Sequence, residues 1–144
     1  MKVFKDFAAR MKRSKLMLMG MVLLVCVGAV LADDRPQHTK DSLETVQENL
    51  TDDKAVMVDV REQREWDAGH LKKAKLVPLS KLRDLKGKAE IEGLAKDKIV
   101  YVHCKAGGRA LSACTILKEM GYDVRPLKWG YTKLVDEGFE KAEK

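Results

Sequence analysis

The chain has 144 residues, 45% of them hydrophobic and 35% charged, and a formal charge of +6. That length and composition suit one globular domain and exclude a disordered or low-complexity protein. Six basic side chains against Asp6 put +5 of the charge in residues 1–32, leaving the rest near neutral. Such a remainder lacks the basic stripe that nucleic-acid binding requires.

Residues 1–32 read as an export signal, with an uncleaved membrane anchor as the alternative. Lys2, Lys5, Arg10, Lys12, Arg13 and Lys15 precede an uncharged run from Leu16 to Leu31. The segment closes on Val30-Leu31-Ala32, which would leave Asp33 first after cleavage. The run is slightly short for a bilayer span of about 20 residues. Cys26 is read as part of this apolar run and not as a lipid-attachment site. The domain is therefore expected to face an extracytoplasmic space, most simply the periplasm. A membrane contact is expected only if the leader is retained. Five of the seven methionines lie here too, so a Met-rich metal-trafficking reading has no support.

Residues 33–40 (DDRPQHTK) read as a polar linker ahead of a domain over 41–144. Asp41 is expected to cap a helix running through Asn49, with Leu43, Val46 and Leu50 at helical spacing. The apolar run Ala55 to Val60 predicts a buried strand, followed by a helical stretch from Glu62 to Ala68 ending at Gly69. Leu76 to Leu79 predicts a second strand, with Ser80 as a cap, and residues 81–98 predict short helices joined by turns. Ile99 to His103 (IVYVH) predicts a strand and Arg109 to Met120 a helix closed at Gly121. Tyr122 to Val124 and Leu127 mark a last strand region, and Thr132 to Ala142 a last helix. Strands alternating with helices predict an α/β fold, a parallel sheet covered on both faces.

The junction of IVYVH with the following helix carries the chemistry. Cys104 falls at the carboxyl end of a buried strand, where ligands bind in open α/β sheets. The unpaired N–H groups of the loop and first helical turn form an anion nest. Gly107 and Gly108 free the backbone to converge those donors, while Lys105 and Arg109 add positive charge. Helix N-termini and neighbouring cations favour a cysteine thiolate, so Cys104 is the expected nucleophile and an anionic electrophile the natural substrate. Neither a metal nor a cofactor is required. Exported proteins commonly pair their cysteines, but Cys114 lies about 9 Å down the helix axis from the loop mouth. It is expected to be a buried thiol, too distant for a disulfide with Cys104.

The run D59-V-R-E-Q-R-E-W-D-A-G-H-L, followed by Ala74 and Pro78, resembles the Asp-Val-Arg…Glu…Gly-His signature of rhodanese domains. C104-K-A-G-G-R resembles their six-residue active loop, and G121-Y-D-V…L127 their next strand. A leader followed by one such domain is similar to the small periplasmic rhodaneses. Lys73 and Trp129 depart from the family's usual glycines, and Trp129 bears on the width of the pocket. The resemblance implies a three-layer rhodanese-like fold and sulfur transfer from thiosulfate to a thiol or cyanide through a Cys104 persulfide. The partners it implies are a small anionic sulfur donor and a thiol or cyanide acceptor, a protein thiol among them. Cys104 would be catalytic, with Lys105, Ala106, Gly107, Gly108 and Arg109 cradling substrate and Lys105 and Arg109 holding its sulfonate oxygens. Asp59, Arg61, Glu65 and His70 are expected to be structural support, Arg61 bracing the loop with Glu65. His103 points away from Cys104 and is expected in the core.

Two other readings compete. One is a persulfide carrier or docking module that does not turn over free thiosulfate. The other is a cysteine-dependent phosphatase or arsenate reductase, whose Cys-x5-Arg loop is one residue longer; the narrower ring suits a single sulfur.

Overall fold

The computed structural model describes residues 35–85 and 90–143. The leader reading for residues 1–32, the first two linker residues and part of the Lys-rich stretch lie outside the described residues. Among the described residues no helix is long and apolar enough to cross a membrane.

Four short strands make the centre: β1 (Ala55–Asp59), β2 (Ala74–Leu76), β3 (Ile99–His103) and β4 (Asp123–Pro126). All pairs are parallel, in the order β2-β1-β3-β4. Parallel strands covered on both faces need continuous apolar runs, and AVMVD and IVYVH supply them. Alternation then divides their side chains. Val58, Val100 and Val102 enter one core with Leu82, Ala113, Cys114 and Leu117. Met57 and Tyr101 enter the other with Val46, Leu71, Leu127 and Leu134.

The first core is covered by α3 (Leu79–Leu85) and α4 (Gly108–Glu119), the second by α1 (Leu43–Thr51) and α5 (Tyr131–Asp136). A five-residue helix, α2 (Gln63–Asp67), follows β1. Helices thus lie on both faces, the three-layer α/β arrangement expected.

Four local expectations are corrected. Ser42, not Asp41, caps α1, its Oγ accepting the Thr45 N–H at 3.2 Å. Asp41 instead accepts from the Tyr101 hydroxyl at 2.7 Å and from Arg125 at 2.9 Å, tying the start of the domain to β3 and β4. β2 begins at Ala74, ahead of Leu76–Leu79, because Ala74 to Leu76 pair with Met57 to Asp59; Leu79 and Ser80 already belong to α3. α5 stops at Asp136, since Gly138 follows at φ +89° and Leu71 bridges Lys141 beyond it.

Residues 35–40 do more than link. Thr39 donates its N–H to Pro126 O at 2.8 Å, so the segment is fastened to the end of β4 before α1 begins.

A cysteine loop at the switch point of the sheet

The chain leaves β1 toward β2 on one side and reaches β3 on the other, so the strand order reverses between β1 and β3. In open α/β sheets that reversal opens a crevice at the carboxyl ends of the strands. Cys104 follows β3 there, with its residue only 1% exposed.

The sulfur is held from within the loop. Gly107 donates its backbone N–H to Cys104 Sγ at 3.0 Å. Its φ of +87° makes this possible, a conformation that side-chain-bearing residues resist. Gly108 needs no such freedom, being the first residue of α4. Lys105, Ala106 and Gly108 are exposed, Gly107 is buried and Arg109 half-buried.

A second segment fixes the loop from outside. Tyr131 donates its N–H to Cys104 O at 3.0 Å, and Leu127 donates to Val102 O at 2.8 Å. Gly130 lies so close to the loop that an added Cβ would sit 1.7 Å from Lys105 O. Neither Gly130 nor Tyr131 was singled out as a site residue; the only signal in the sequence was the Trp129-Gly130 pair. Trp129 itself packs against the second core, with Lys128 Nζ 4.7 Å from its ring centroid.

The charged residues group differently from expectation. Arg109 makes its hydrogen bonds to Glu65, Nη1 to Oε2 at 2.6 Å and Nη2 to Oε1 at 2.8 Å, while its charge is still felt by Cys104. Glu65 also accepts the Glu62 N–H at 3.1 Å. The Arg109 hydrogen bonds chiefly hold the Glu65 carboxyl down to about 2. The expected Arg61–Glu65 brace is therefore replaced by two separate pairs. Arg61 forks onto the buried Asp59, with Nη2 to Oδ2 at 2.7 Å, and also donates to Gly69 O at 2.8 Å. Its guanidinium carbon stands 4.3 Å from the Tyr131 ring centroid. Lys105 is the exposed cation of the loop and forms no ion pair among the described residues.

His70 stacks on Trp66 at 3.7 Å and donates from Nδ1 to the Trp66 carbonyl at 3.1 Å, away from the thiol. His103 is fully buried beside Asp59, Nε2 to Oδ2 3.7 Å apart, as their register pairing requires. Burial lowers its pKa against the opposing pull of the Asp59 carboxylate. Cys114 is a free, fully buried thiol pushed up to about 12 by burial. A separate cavity of about 320 Å³, lined among others by Leu50, Met57, Lys73 and Phe139, shares no residue with the loop.

Comparison with known families places the chain. Residues 42–137 match the rhodanese-like domain model, and the chain belongs to that family. It is similar to the probable adenylyltransferase/sulfurtransferase MoeZ of Mycobacterium tuberculosis, 35% identical over 65% of this chain and 24% of that protein. The uncharacterized protein YqhL of Bacillus subtilis is also 35% identical, over 56% of this chain and 60% of its own length. The chain thus spans less than two thirds of either curated relative. The fold is shared with the human single-domain sulfurtransferase TSTD1, at a TM-score of 0.60 and 24% identity, covering 67% of this chain and 95% of that one.

Proposed function

We propose that this chain is a sulfurtransferase that moves sulfane sulfur through a persulfide on Cys104, with thiosulfate or a similar anion as donor. The observation that carries the reading is the Gly107 N–H aimed at Cys104 Sγ at 3.0 Å. A backbone donor fixed on the sulfur stabilises an anion there, whether thiolate or persulfide.

In the first step the Cys104 thiolate attacks the outer sulfur of thiosulfate. The S–S bond breaks, sulfite leaves with the electron pair, and the outer sulfur remains on Cys104. An acceptor thiolate or cyanide then attacks that sulfur, and the Cys104 thiolate departs. Both steps are exchange at sulfur and need no general base. The sulfonate oxygens are assigned to Lys105, because Arg109 is occupied by Glu65. Burial of the sulfur favours a slim donor. The same Arg109–Glu65 pair weakens the phosphatase reading, in which that guanidinium would have to clasp the phosphate.

The pattern of residues 1–32 supports sulfur transfer outside the cytoplasm. N-terminal sequencing of protein isolated from cells is expected to begin at Asp33; Met1 in a soluble cytoplasmic fraction would refute export.

The test of the chemistry is the intact mass of the full-length chain after thiosulfate treatment. Parent protein is expected to gain one sulfur, about 32 Da, and Cys104→Ser none. A reduced, alkylatable Cys104 that gains nothing would exclude thiosulfate as donor and favour a carrier or docking role.

A further inference from the structure

The segment ahead of the domain was expected to be a polar linker, yet it delivers a side chain to the active loop. His38 places Nε2 3.4 Å from Gly107 O. Because a carbonyl only accepts, the ring nitrogen must be the donor, which selects the Nε2–H tautomer or the imidazolium. We infer that His38 is a positioning residue for the Cys104 loop: it anchors the Gly107 carbonyl and thereby holds the donors that face the sulfur. The role in catalysis rests on the sulfur-transfer reading above; the role in holding the loop does not.

Several observations converge on this residue. His38 is half-buried, and the backbone that follows it is fastened. Thr39 N–H bonds Pro126 O at 2.8 Å, Asp41 accepts from Tyr101 and Arg125, and Ser42 caps α1. An unanchored tail would not hold a ring against a loop, but this one is anchored at the next residue.

Gly107 is correspondingly enclosed. A Cβ built on it would meet His38 Nε2 at 2.9 Å, Lys128 O at 3.0 Å and Leu127 O at 3.4 Å. The residue that supplies the sulfur's N–H donor is thus wedged between His38 and the chain after β4. Its carbonyl also accepts the Leu111 N–H at 3.3 Å, the first full turn of α4. The His38 bond therefore adds a second donor to the peptide that joins Gly107 to Gly108. Polarising that carbonyl strengthens the same peptide's N–H, on Gly108, as a donor at the unpaired start of the helix. The bond also resists rotation of the strained Gly107, whose own N–H would otherwise swing off Cys104 Sγ.

The experiment compares His38→Ala and His38→Gln with the parent in the full-length chain. Gln keeps an N–H donor on a side chain of similar reach but lacks the ring. Two readouts are taken: the second-order rate of Cys104 alkylation by iodoacetamide, which needs no sulfur donor, and kcat/KM for thiosulfate with cyanide. Loss of a hydrogen bond this long predicts a slowing of about 2- to 3-fold in both for His38→Ala, with most of the rate restored in His38→Gln. Thermal melting of both variants is expected within about 2 °C of the parent, the ring being only half-buried and its bond to Gly107 O long. Parental alkylation by His38→Ala, or His38→Gln as slow as His38→Ala, would overturn the inference, the latter because the ring would then act by packing alone. If the parent shows no thiosulfate turnover while alkylation still follows the donor at position 38, the sulfur reading fails and the positioning role stands.

Discussion

Glu65 is the residue on which the loop's first helical turn leans. It is 44 positions from Arg109 in the chain, and the two form a fork-on-fork pair at 2.6 and 2.8 Å. Replacing it by glutamine keeps the shape and removes the charge. Glu65→Gln is expected to cost about 1–2 kcal/mol, the pair being partly exposed and so partly screened. It should also lower kcat/KM about 10-fold by loosening the base of the cradle. Urea unfolding and steady-state kinetics on the same variant check both. This pairing was not legible in the sequence. Glu65 stands four residues after Arg61, which made a local pair natural, but Arg61 is drawn off by Asp59 two residues before it. The nucleophile itself was legible, because Cys104 follows an uninterrupted apolar run and precedes Gly-Gly, two purely local signals.

Among the elements, the turn between β4 and α5 acts as an outer wall for the loop. Gly130 allows the two backbones to touch, with room for nothing beyond hydrogen at its Cα. Gly130→Ala is expected to destabilise the domain by about 1–3 kcal/mol, the usual cost of overpacking, and to slow Cys104 alkylation. Unchanged melting and alkylation would mean that the wall can retreat without disturbing the sulfur. The central strands were predicted nearly to the residue, since β1 and β3 are buried on both faces and their composition has no other use. β2 was misplaced because an edge strand of three residues, half-exposed, carries little periodicity. The end of α5 was missed because the helical spacing from Thr132 onward continues in the sequence past the point where Gly138 breaks it. The role of 35–40 was hidden for a different reason: it is held by polar contacts such as the backbone bond to Pro126 and the ring on Gly107, which leave no apolar signature.

For the molecule as a whole, stability should fall with acid in two separable windows. Burial lowers the His103 pKa below its ordinary 6.5, so unfolding takes up a proton there and stability declines as pH drops below that value. Glu65 is lowered from 4.5 to about 2, and its contribution is present above 4.5 and lost as pH falls toward 2. Asp41, lowered mainly by the Tyr101 hydroxyl, acts in the same direction below 3.8. Melting temperature measured across pH 7.5 to 5 is therefore expected to decline in the parent and to flatten in His103→Asn; an equal decline in both would assign the upper window to another group.

The isolation of Cys114 also bears on how the protein endures oxidants. Its thiol is sealed in the core and held protonated, with a pKa of about 12, and among the described residues it is the only cysteine besides Cys104. Among the described residues, a peroxide that converts Cys104 to a sulfenic acid thus finds no resolving thiolate beside it. A small thiol that diffuses in then supplies the rescue; without it the oxidation proceeds to the irreversible sulfinic and sulfonic acids. A resting form already carrying sulfur on Cys104 would offer the oxidant a sulfur atom that the next reduction can discard.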